Sequence, residues 1–313
     1  MVNSNMKVLI IGGCGYTGSA IGKYLQDKHN ITNVDLEWFG NYSNATNINI
    51  DFNNLTTQFL DEFNVIILTA GHSSVKMCDN DLQSSFNNNV RNFVNLTNKL
   101  KDQKFIYASS ASVYGNTSAT ELSEDNVNFS PINYYDMTKL HIDHIMQLSN
   151  LDYYGLRFGT VNGPAPNIRT DVMINAMVNT AMQKGEIHVF NKDTRRSILG
   201  INDLCRAIDT IIDNNKKANR GVYNTASFTN TAGEIAEAVG RLAGVPVIDK
   251  DPPTVILNEK LQNKTYDFGI STAKFENTFS FKFTDTLDSI TQEMVDNYAK
   301  CNRENRAGLV QYT

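Results

Sequence analysis

Short apolar runs rich in β-branched residues recur along the first half of the chain, and longer amphipathic stretches separate them. Runs of this length, bounded by Gly, Asp, Asn or Ser, are typical of strands that are buried on both faces of a sheet. Their alternation with helical stretches predicts a parallel sheet covered by helices. The predicted strands are residues 7–11, 31–34, 47–50, 65–68, 104–107, 153–158, 186–190 and 222–226.

Helical periodicity occupies most of the intervals between these runs. One helix begins with a capping signal, Thr231 followed by Glu234 three residues later. After Gly163 the alternation becomes less regular, so we expect a second region that is interleaved with the first. The fold class predicted from this pattern is α/β, with a doubly wound parallel sheet. The predicted helices are residues 18–28, 86–100, 134–148, 172–183, 201–213, 231–243 and 286–300.

Composition narrows the possible functions. The 313 residues carry 28 Lys and Arg against 33 Asp and Glu, without a basic run, so we expect no nucleic-acid partner. The short apolar run near the start ends in glycines, which predicts neither a signal peptide nor a membrane span. The cysteines lack CxxC spacing, so we expect a reducing cytosol and neither a disulfide framework nor a metal site. They are Cys14, Cys78, Cys205 and Cys301.

A GxxGxxG spacing, formed by Gly12, Gly15 and Gly18, directly follows the first predicted strand. In a dinucleotide site these glycines allow a tight turn, close approach of a pyrophosphate, and close packing of the helix on the sheet. A plain glycine turn explains the triplet alone equally well. Asp35 ends the second strand, where a carboxylate accepts both ribose hydroxyls of adenosine and repels a 2′-phosphate, so we expect NAD. Asp51 either accepts from the adenine amino group or caps its loop.

Hydroxyl side chains follow the fifth predicted strand in the run ASSASVYG, residues 108–115. Open α/β sheets bind ligands at this end of their strands. Tyr135 and Lys139 come next, and their spacing of four places them on one face of a helix. An ammonium near a phenol favours the phenolate, which is the basic form. YxxxK is common by chance, and it gains weight from its place after the glycine turn, the acidic strand end and the hydroxyl cluster.

Taken together, these motifs resemble those of the extended short-chain dehydrogenase/reductase superfamily, in particular the NAD-dependent epimerase/dehydratase group that acts mainly on nucleotide sugars. The resemblance extends over most of the chain. Residues 12–18 are similar to the glycine signature of the family, and residues 109–115 are similar to its serine motif. Its motif PxxxYxx(S/T)K corresponds to Pro131, Tyr135, Thr138 and Lys139. Residues 156–164 are similar to its motif LRPxNVYGP, and residues 196–203 are similar to its motif RxFxxVxD.

The resemblance implies a Rossmann-type NAD-binding domain in residues 6–163, with 197–226 returning to it, and a mainly substrate-binding region in 164–313. It implies a nucleotide-sugar substrate and a homodimer formed through helices that include residues 86–100 and 134–148. It makes Ser110, Tyr135 and Lys139 the catalytic set. The implied cofactor-binding residues are Gly12, Gly15, Tyr16, Thr17, Gly18, Asp35, Asp51, Phe52, Leu68, Ala70, Asn89, Ala108, Tyr135, Lys139 and Phe158.

On the substrate side, the resemblance makes Arg196 a phosphate ligand, for which a guanidinium fork is suited. Several family positions are occupied by other residues here. Phe158 and Thr160 stand in place of a Pro and an Asn, and residues 253–267 contain no second phosphate-binding arginine. Ala111 and Ser112 stand in place of the Asp-Glu pair of dehydratases, which argues against elimination chemistry. The implied substrate-binding residues are Ser110, Ser112, Thr160, Asn175 and Arg196.

We therefore predict an NAD-dependent oxidoreductase or epimerase that acts on a hydroxyl of a nucleotide-activated sugar. Two alternatives remain open. One is a dehydrogenase or reductase of a small polyol, hydroxy acid or amino acid, consistent with Thr160. The other is a non-catalytic NAD-binding sensor, against which the intact Ser-Tyr-Lys set argues. Two side chains also have alternative roles: Asn89 either acts near Lys139 or is a plain helix residue, and His72 either lines the cleft or is a second acid/base.

Overall fold

The computed structural model describes residues 5–117, 119, 121–126, 128–250 and 266–301. The strands are β1 (Lys7–Ile11), β2 (Asn30–Val34), β3 (Thr46–Ile48), β4 (Val65–Leu68), β5 (Lys104–Ser110), β6 (Asp152–Phe158), β7 (Thr160–Asn162), β8 (Ile187–Val189), β9 (Arg195–Gly200), β10 (Gly221–Thr225), β11 (Phe228–Thr231) and β12 (Val247–Asp249). The helices are α1 (Tyr16–Leu25), α2 (Thr57–Leu60), α3 (Val75–Asn80), α4 (Leu82–Phe86), α5 (Asn92–Thr97), α6 (Tyr134–Gln147), α7 (Met173–Lys184), α8 (Ile201–Asp213), α9 (Ala232–Ala243), α10 (Ala273–Phe279) and α11 (Leu287–Asn297).

Seven strands form the central sheet, in the order β10-β6-β5-β4-β1-β2-β3, and every neighbouring pair in it is parallel. The strands β2 and β3, which follow β1 in the chain, lie on one side of β1 in the sheet. The strands β5, β6 and β10, which follow β4, lie on the opposite side, beyond β4. The predicted doubly wound α/β fold is therefore confirmed. Because the connections after β1 and β4 diverge, they leave a crevice at the carboxyl ends of these two strands, where such folds bind ligands.

Helices cover both faces of the sheet because successive strand side chains point to opposite sides. On one face, Val8 and Ile10 of β1 join the hydrophobic core that includes side chains of α1 and α8. On the other face, Leu9 and Ile11 pack in a core with side chains of α5 and α6. The long strand β5 and helix α6 are thus held rigidly at the carboxyl edge of the sheet, where the serine and tyrosine motifs lie.

Two smaller sheets and the helices α7, α9 and α11 form the second region. Strand β9 pairs in parallel with β7 and antiparallel with β11, which brings Arg196 to the edge of the crevice. The buried carboxylate of Asp203 accepts hydrogen bonds from the amides of Thr284 and Asp285, and these bonds fasten the carboxyl-terminal segment to α8. None of the helices in the described ranges combines the length and apolar composition needed to cross a bilayer.

The predicted elements are found within a few residues of their expected ends, with one exception. The predicted helix 86–100 is wrong as one element: α4 ends at Phe86, a π-helical segment spans Asn87–Arg91, and α5 follows. A π segment takes an extra residue into the turn, which apolar periodicity does not reveal. The predicted strand 186–190 is shorter, and it pairs with β12 outside the central sheet. The elements that were not predicted are the strands β7, β9, β11 and β12 and the helices α2, α3, α4 and α10.

Candidate active site

The turn between β1 and α1 passes close to the chain that leaves β4. Gly12 has a φ of +91°, and a Cβ on it would lie 2.4 Å from the amide nitrogen of Ala70. A Cβ on Gly18 would lie 2.0 Å from the Gly12 carbonyl oxygen. Only glycine fits at these two positions. Gly15 precedes the first turn of α1 and borders the cleft, so the amides of this helix end face the open space.

Two carboxylates border the same part of the cleft. Asp35 accepts hydrogen bonds from the amides of Cys14, at 3.0 Å, and Glu37, at 2.7 Å, which fix its orientation beside the glycine turn. Burial raises the pKa of Asp35. Asp51 accepts from the amide of Asn53 at 2.8 Å and caps a short 3₁₀ helix. The capping role that the sequence left open for Asp51 is therefore present, beside its position on the cleft.

The three residues of the expected catalytic set come together at the carboxyl end of β5. Ser110 ends that strand, and Tyr135 lies in the first turn of α6. The Lys139 ammonium lies 5.8 Å from the centre of the Tyr135 ring and donates to the Ala108 carbonyl at 2.8 Å. Ser110, Tyr135, Lys139 and Ala108 all border the cleft.

Burial has the largest effect on the pKa values of Tyr135 and Lys139. Burial raises the pKa of Tyr135 to about 12, while the nearby Ser110 hydroxyl and the positive charge of Arg169 lower it less strongly. It lowers the pKa of Lys139 to about 8, so the ammonium remains mostly charged at neutral pH. The phenol of Tyr135 is therefore neutral at pH 7 in this structure. A general base at this position needs further help to lose its proton.

Asn89 lies in the π-helical segment and is buried. Its amide oxygen accepts from the amide of His72, and its amide nitrogen donates to the His72 carbonyl and to the Thr138 hydroxyl. Asn89 thus connects the loop after β4 to the helix that carries Tyr135. His72 borders the cleft with its side chain buried, and burial lowers the pKa of the imidazole, which favours its neutral form.

Arg196, Ser112 and Thr160 border the cleft on the side of the second region. The guanidinium of Arg196 donates to the carbonyl oxygens of Arg195 and Tyr266, and burial lowers its pKa. The neighbouring Arg195 instead forms a two-pronged ion pair with Asp267. The segment in which the sequence shows no second arginine lies mostly outside the described residues.

Some expected site residues do not border the cleft. Asn175 is a correction: it is fully buried, its amide oxygen accepts from the Gly163 amide, and its nitrogen donates to the Tyr16 hydroxyl and the Arg169 carbonyl. With its polar atoms engaged inside the protein, it supports the cleft wall and does not face a substrate. Three expected cofactor residues also lie behind the wall, namely Gly18, Leu68 and Asn89, whereas the others border the cleft.

The cleft has a volume of about 1720 Å³. Sites for single small ligands usually measure roughly 300–1,000 Å³, so this cleft has room for two. It runs from the glycine turn and Asp35 past Ser110 and Tyr135 to Arg196. Within the described residues, no three His, Cys, Asp or Glu side chains come together as a group that holds a metal ion.

Three residues at the cleft or directly behind it were not singled out from the sequence. Arg169 borders the cleft and pairs with Asp171 at 2.7 Å, and its charge favours the phenolate of Tyr135. Asp136 is fully buried behind Ser112, and Tyr266 donates to it. No local motif marks Arg169 or Tyr266, because each comes near the expected catalytic set only through the packing of distant segments. The position of Asp136 directly after Tyr135 is the one signal available in the sequence.

The model of the NAD dependent epimerase/dehydratase family matches residues 8–226, which is more than half of the chain. The chain belongs to that family. It is therefore an enzyme of the NAD-dependent, extended short-chain dehydrogenase/reductase type. The resemblance in the motifs is confirmed, and so is NAD as the cofactor.

Relatives of this family member differ in their named activities. Protein CapI of Staphylococcus aureus is 28% identical over 234 residues, which cover 66% of this chain and 69% of CapI. The ADP-L-glycero-D-manno-heptose-6-epimerase of Brachyspira hyodysenteriae is 27% identical over 261 residues, which cover 74% of this chain and 80% of that enzyme. One solved structure is that of the UDP-glucuronic acid 4-epimerase of Bacillus cereus in complex with UDP-glucuronic acid and NAD. It superposes on this chain with a TM-score of 0.81 at 20% sequence identity, and the match covers 94% of this chain and 99% of that chain. This last likeness shows the shared fold.

The residues present fit NAD on three observations. The glycine turn leaves backbone exposed to the cleft at Gly15, where the amides of α1 favour a pyrophosphate. The Asp35 carboxylate is fixed beside that turn by two backbone amides. The Ser109 hydroxyl is buried at the cleft and has no hydrogen-bond partner among the described residues. An orphaned hydroxyl of this kind is suited to a bound ligand.

Proposed function

We propose that the protein is an NAD-dependent epimerase or oxidoreductase that acts on a hydroxyl of a nucleotide-activated sugar. One observation carries this proposal: a single cleft joins the dinucleotide-type turn and Asp35 to Ser110, Tyr135 and Arg196. A small polyol would fill little of the space that remains beside a dinucleotide. The named heptose and glucuronic acid epimerases act on nucleotide sugars, which supports the same class of substrate for this chain.

In the proposed mechanism the residues of the Ser-Tyr-Lys set divide the work. Ser110 holds the reacting hydroxyl of the sugar, and Tyr135 removes its proton as the C–H bond breaks. Lys139 provides a positive charge near the phenol. We propose that it also holds the nicotinamide ribose. NAD, when bound, supplies the acceptor for the hydride. The neutral phenol at pH 7 means that nearby positive charge is required for the base to form.

We further propose epimerisation, oxidation or reduction and not elimination. A dehydratase needs an acid/base pair beside the catalytic hydroxyl to protonate the leaving group. Here Ala111 is buried, and the Ser112 hydroxyl lies 2.8 Å from that of Ser110. Neither side chain supplies a carboxylate at the position that follows Ser110.

Arg196 is proposed to bind the phosphate of the nucleotide sugar. Its guanidinium borders the cleft, and its contacts to the carbonyl oxygens of Arg195 and Tyr266 use one nitrogen, Nη1. Buried arginine is always charged in practice and presents a planar fork to phosphate oxygens. Ser112 and Thr160 border the cleft nearby and are proposed to contact the sugar.

The proposed organisation places NAD binding in residues 6–163 with 197–226, and substrate binding mainly in 164–313. We also propose a cytoplasmic homodimer. The exposed apolar side chains of α4 and α6, Phe86, Tyr134 and Met137, support a helical interface, and the four free cysteines suit a reducing compartment. Light scattering combined with size-exclusion chromatography tests the dimer, and a monomeric mass at micromolar protein contradicts it.

The central experiment incubates the purified enzyme with NAD and each of four sugars: UDP-glucose, UDP-glucuronic acid, UDP-N-acetylglucosamine and an ADP-heptose. Products are identified by NMR. We expect turnover of at least one of them and a loss of roughly 10²–10⁴-fold in the Tyr135→Phe variant, because general base catalysis contributes about that much. The NAD dissociation constant, measured by calorimetry, should change little in the same variant.

Tyr134→Phe is the matched control, since Tyr134 is exposed on the same helix and does not border the cleft. It should retain wild-type turnover. Oxidation of a free polyol or hydroxy acid, without turnover of any nucleotide sugar, would show that the proposed substrate class is wrong. Full activity of Tyr135→Phe would show that the proposed base is wrong.

A further inference from the structure

The proposed base lies at the end of a helix, where the helix itself holds the chain least firmly. Tyr135 is the second residue of α6, so its backbone amide has no acceptor within the helix. Helix ends fray unless other groups hold them in place. The position of the Tyr135 phenol in the cleft therefore depends on what fastens the first turn of α6.

Two side chains form a cap on this turn. The Asn133 side chain accepts a hydrogen bond from the Asp136 amide at 3.0 Å, and the Asp136 carboxylate accepts from the Ile132 amide at 3.1 Å. Asp136 is fully buried, so its carboxylate needs donors from the protein in place of water. The cap therefore fixes the backbone on both sides of Tyr135, provided that its two side chains are themselves held.

The Tyr266 hydroxyl contacts both members of the cap. It donates to Asp136, with its oxygen 2.8 and 3.0 Å from the two carboxylate oxygens, and it accepts from the side-chain nitrogen of Asn133. A hydroxyl group has one proton and two lone pairs, so it can make both contacts at once. Its removal would leave a buried carboxylate and an amide N–H each short of a partner.

The backbone of Tyr266 is attached to the opposite side of the cleft. Its carbonyl accepts from the Arg196 guanidinium, and the next residue, Asp267, forms the two-pronged ion pair with Arg195. Asp267 also accepts from the Arg195 amide at 2.9 Å. Both arginines lie on β9, which is the middle strand of its sheet. The second region thus holds the first turn of α6 through the Tyr266 hydroxyl.

We propose that Tyr266 is a positioning residue for Tyr135. Its hydroxyl holds the cap of α6, and the cap keeps the phenol where it meets the substrate. The inference rests on the proposed function, in which Tyr135 is the base. A misplacement of reacting groups by about 1 Å can cost a factor of about 10² in rate. Loosening this turn therefore slows the chemical step and leaves the binding of NAD and substrate intact.

Tyr266→Phe tests this directly, because it removes the hydroxyl and keeps the ring and the backbone. Tyr266 borders the cleft, and the group that meets Arg196 is a backbone carbonyl, so these features persist in the variant. The assay uses NAD and whichever of the four nucleotide sugars named above the wild type converts. We expect kcat to fall about 10–100-fold, while KM changes by less than about twofold. The NAD dissociation constant, measured by calorimetry, should stay unchanged.

The matched control is Tyr298→Phe. The Tyr298 hydroxyl also contacts an asparagine side chain, since it donates to the Asn179 oxygen at 3.0 Å, and Tyr298 does not border the cleft. This variant loses a comparable hydroxyl and should keep the wild-type kcat and KM. Urea unfolding of both variants under the assay conditions establishes that the rates belong to folded protein.

A double-mutant cycle tests whether the hydroxyl acts through the cap. Asn133→Ala removes one member of the cap, so it should also lower kcat. If Tyr266 acts through that cap, the combined variant should lose less than the product of the two single losses. Fully multiplicative losses would show that Tyr266 affects the rate by another route, and the proposal would be wrong.

A further readout needs no turnover. In unliganded protein labelled with [ζ-¹³C]tyrosine, the Tyr135 resonance is assigned by its absence from Tyr135→Phe. It should shift or broaden in Tyr266→Phe, because the turn that carries the phenol is no longer held, and it should stay in place in Tyr298→Phe. A Tyr266 hydroxyl that only adds stability would leave the Tyr135 resonance where it is.

The outcomes separate this role of Tyr266 from the function beneath it. The positioning role is wrong if Tyr266→Phe keeps the wild-type kcat, if its only effect is on KM, or if the Tyr135 resonance is unchanged. Full activity of Tyr135→Phe, or the absence of turnover with all four nucleotide sugars, contradicts the proposed function. The tyrosine resonance then still decides whether Tyr266 holds Tyr135 in place.

Discussion

A buried ion pair behind α6, the helix that carries Tyr135 and Lys139, yields a sharp stability prediction. The Arg157 Nε of β6 lies 2.8 Å from an Asp143 oxygen of α6, and the two side chains are 1% and 0% exposed. Tyr107 also donates to Asp143, and Arg157 donates to the Tyr114 hydroxyl. Asp143 lies one helical turn after Lys139, so the pair fastens α6 to the sheet. Removing one partner leaves the other charge buried without compensation.

We expect Asp143→Ala to lower the free energy of unfolding by about 3–5 kcal/mol, the usual cost of breaking a buried pair. Asp143→Asn should cost less, because its amide oxygen still accepts from the guanidinium. The matched control is Asp61→Ala, which breaks a 2.6 Å pair with Lys101 whose side chains are 38% and 58% exposed. That variant should lose at most about 1 kcal/mol, since exposed pairs contribute little.

Urea unfolding, followed by circular dichroism at fixed protein concentration, measures these differences from the midpoints and slopes. The two aspartates have similar pair distances and differ in burial, so their contrast isolates the effect of desolvation. If Asp143→Ala and Asp61→Ala lose the same stability, burial does not set the strength of the Arg157 pair, and the reasoning fails.

Three further predictions follow from the turn, the ribose site and the carboxyl-terminal segment. Gly12→Ala should abolish measurable NAD binding in calorimetry and lower Tm, because its Cβ would meet the Ala70 amide at 2.4 Å, whereas Gly15→Ala should fold normally. Asp35→Ala should weaken NAD binding at least tenfold and reduce the preference for NAD over NADP; unchanged selectivity in a binding titration would contradict this. Burial raises the pKa of Asp285 to about 6 from 3.8, so the fold favours its protonated form, and this stability is lost as pH rises through that window. Asp285→Asn should therefore match the wild-type Tm near pH 4 and exceed it above pH 6, and a constant difference across pH would refute this.

The segment between β4 and β5 shows where sequence patterns stop being informative. Apolar residues at helical spacing correctly indicated helix around residues 86–100, but they did not reveal the π-helical segment Asn87–Arg91. That segment positions Asn89 to hold the His72 backbone and the Thr138 hydroxyl. The extra residue in the turn is stabilised by contacts with other segments of the chain. Periodicity within the helix contains no information about those contacts.

Asn175 and Asp136 illustrate the same limit at the site itself. A motif resemblance suggested that Asn175 faces a substrate, yet its amide is satisfied by Gly163, Tyr16 and Arg169 inside the protein. Asp136 stands beside Tyr135 in the sequence, but its donor Tyr266 lies 130 residues away. Whether a polar side chain meets solvent, ligand or another side chain depends on which distant segments pack against it.

The amino-acid sequence alone determined the alternation of strands and helices, the glycine turn after β1, and the shared helical face of Tyr135 and Lys139. These features depend on local period, backbone sterics and fixed spacing, which neighbouring residues specify. Tertiary structure alone decided the size of the cleft, the arrival of Arg169 near the phenol, and the contact between Tyr266 and Asp136. Those features require segments far apart in the chain to pack together, and the free energy of that packing belongs to the whole fold.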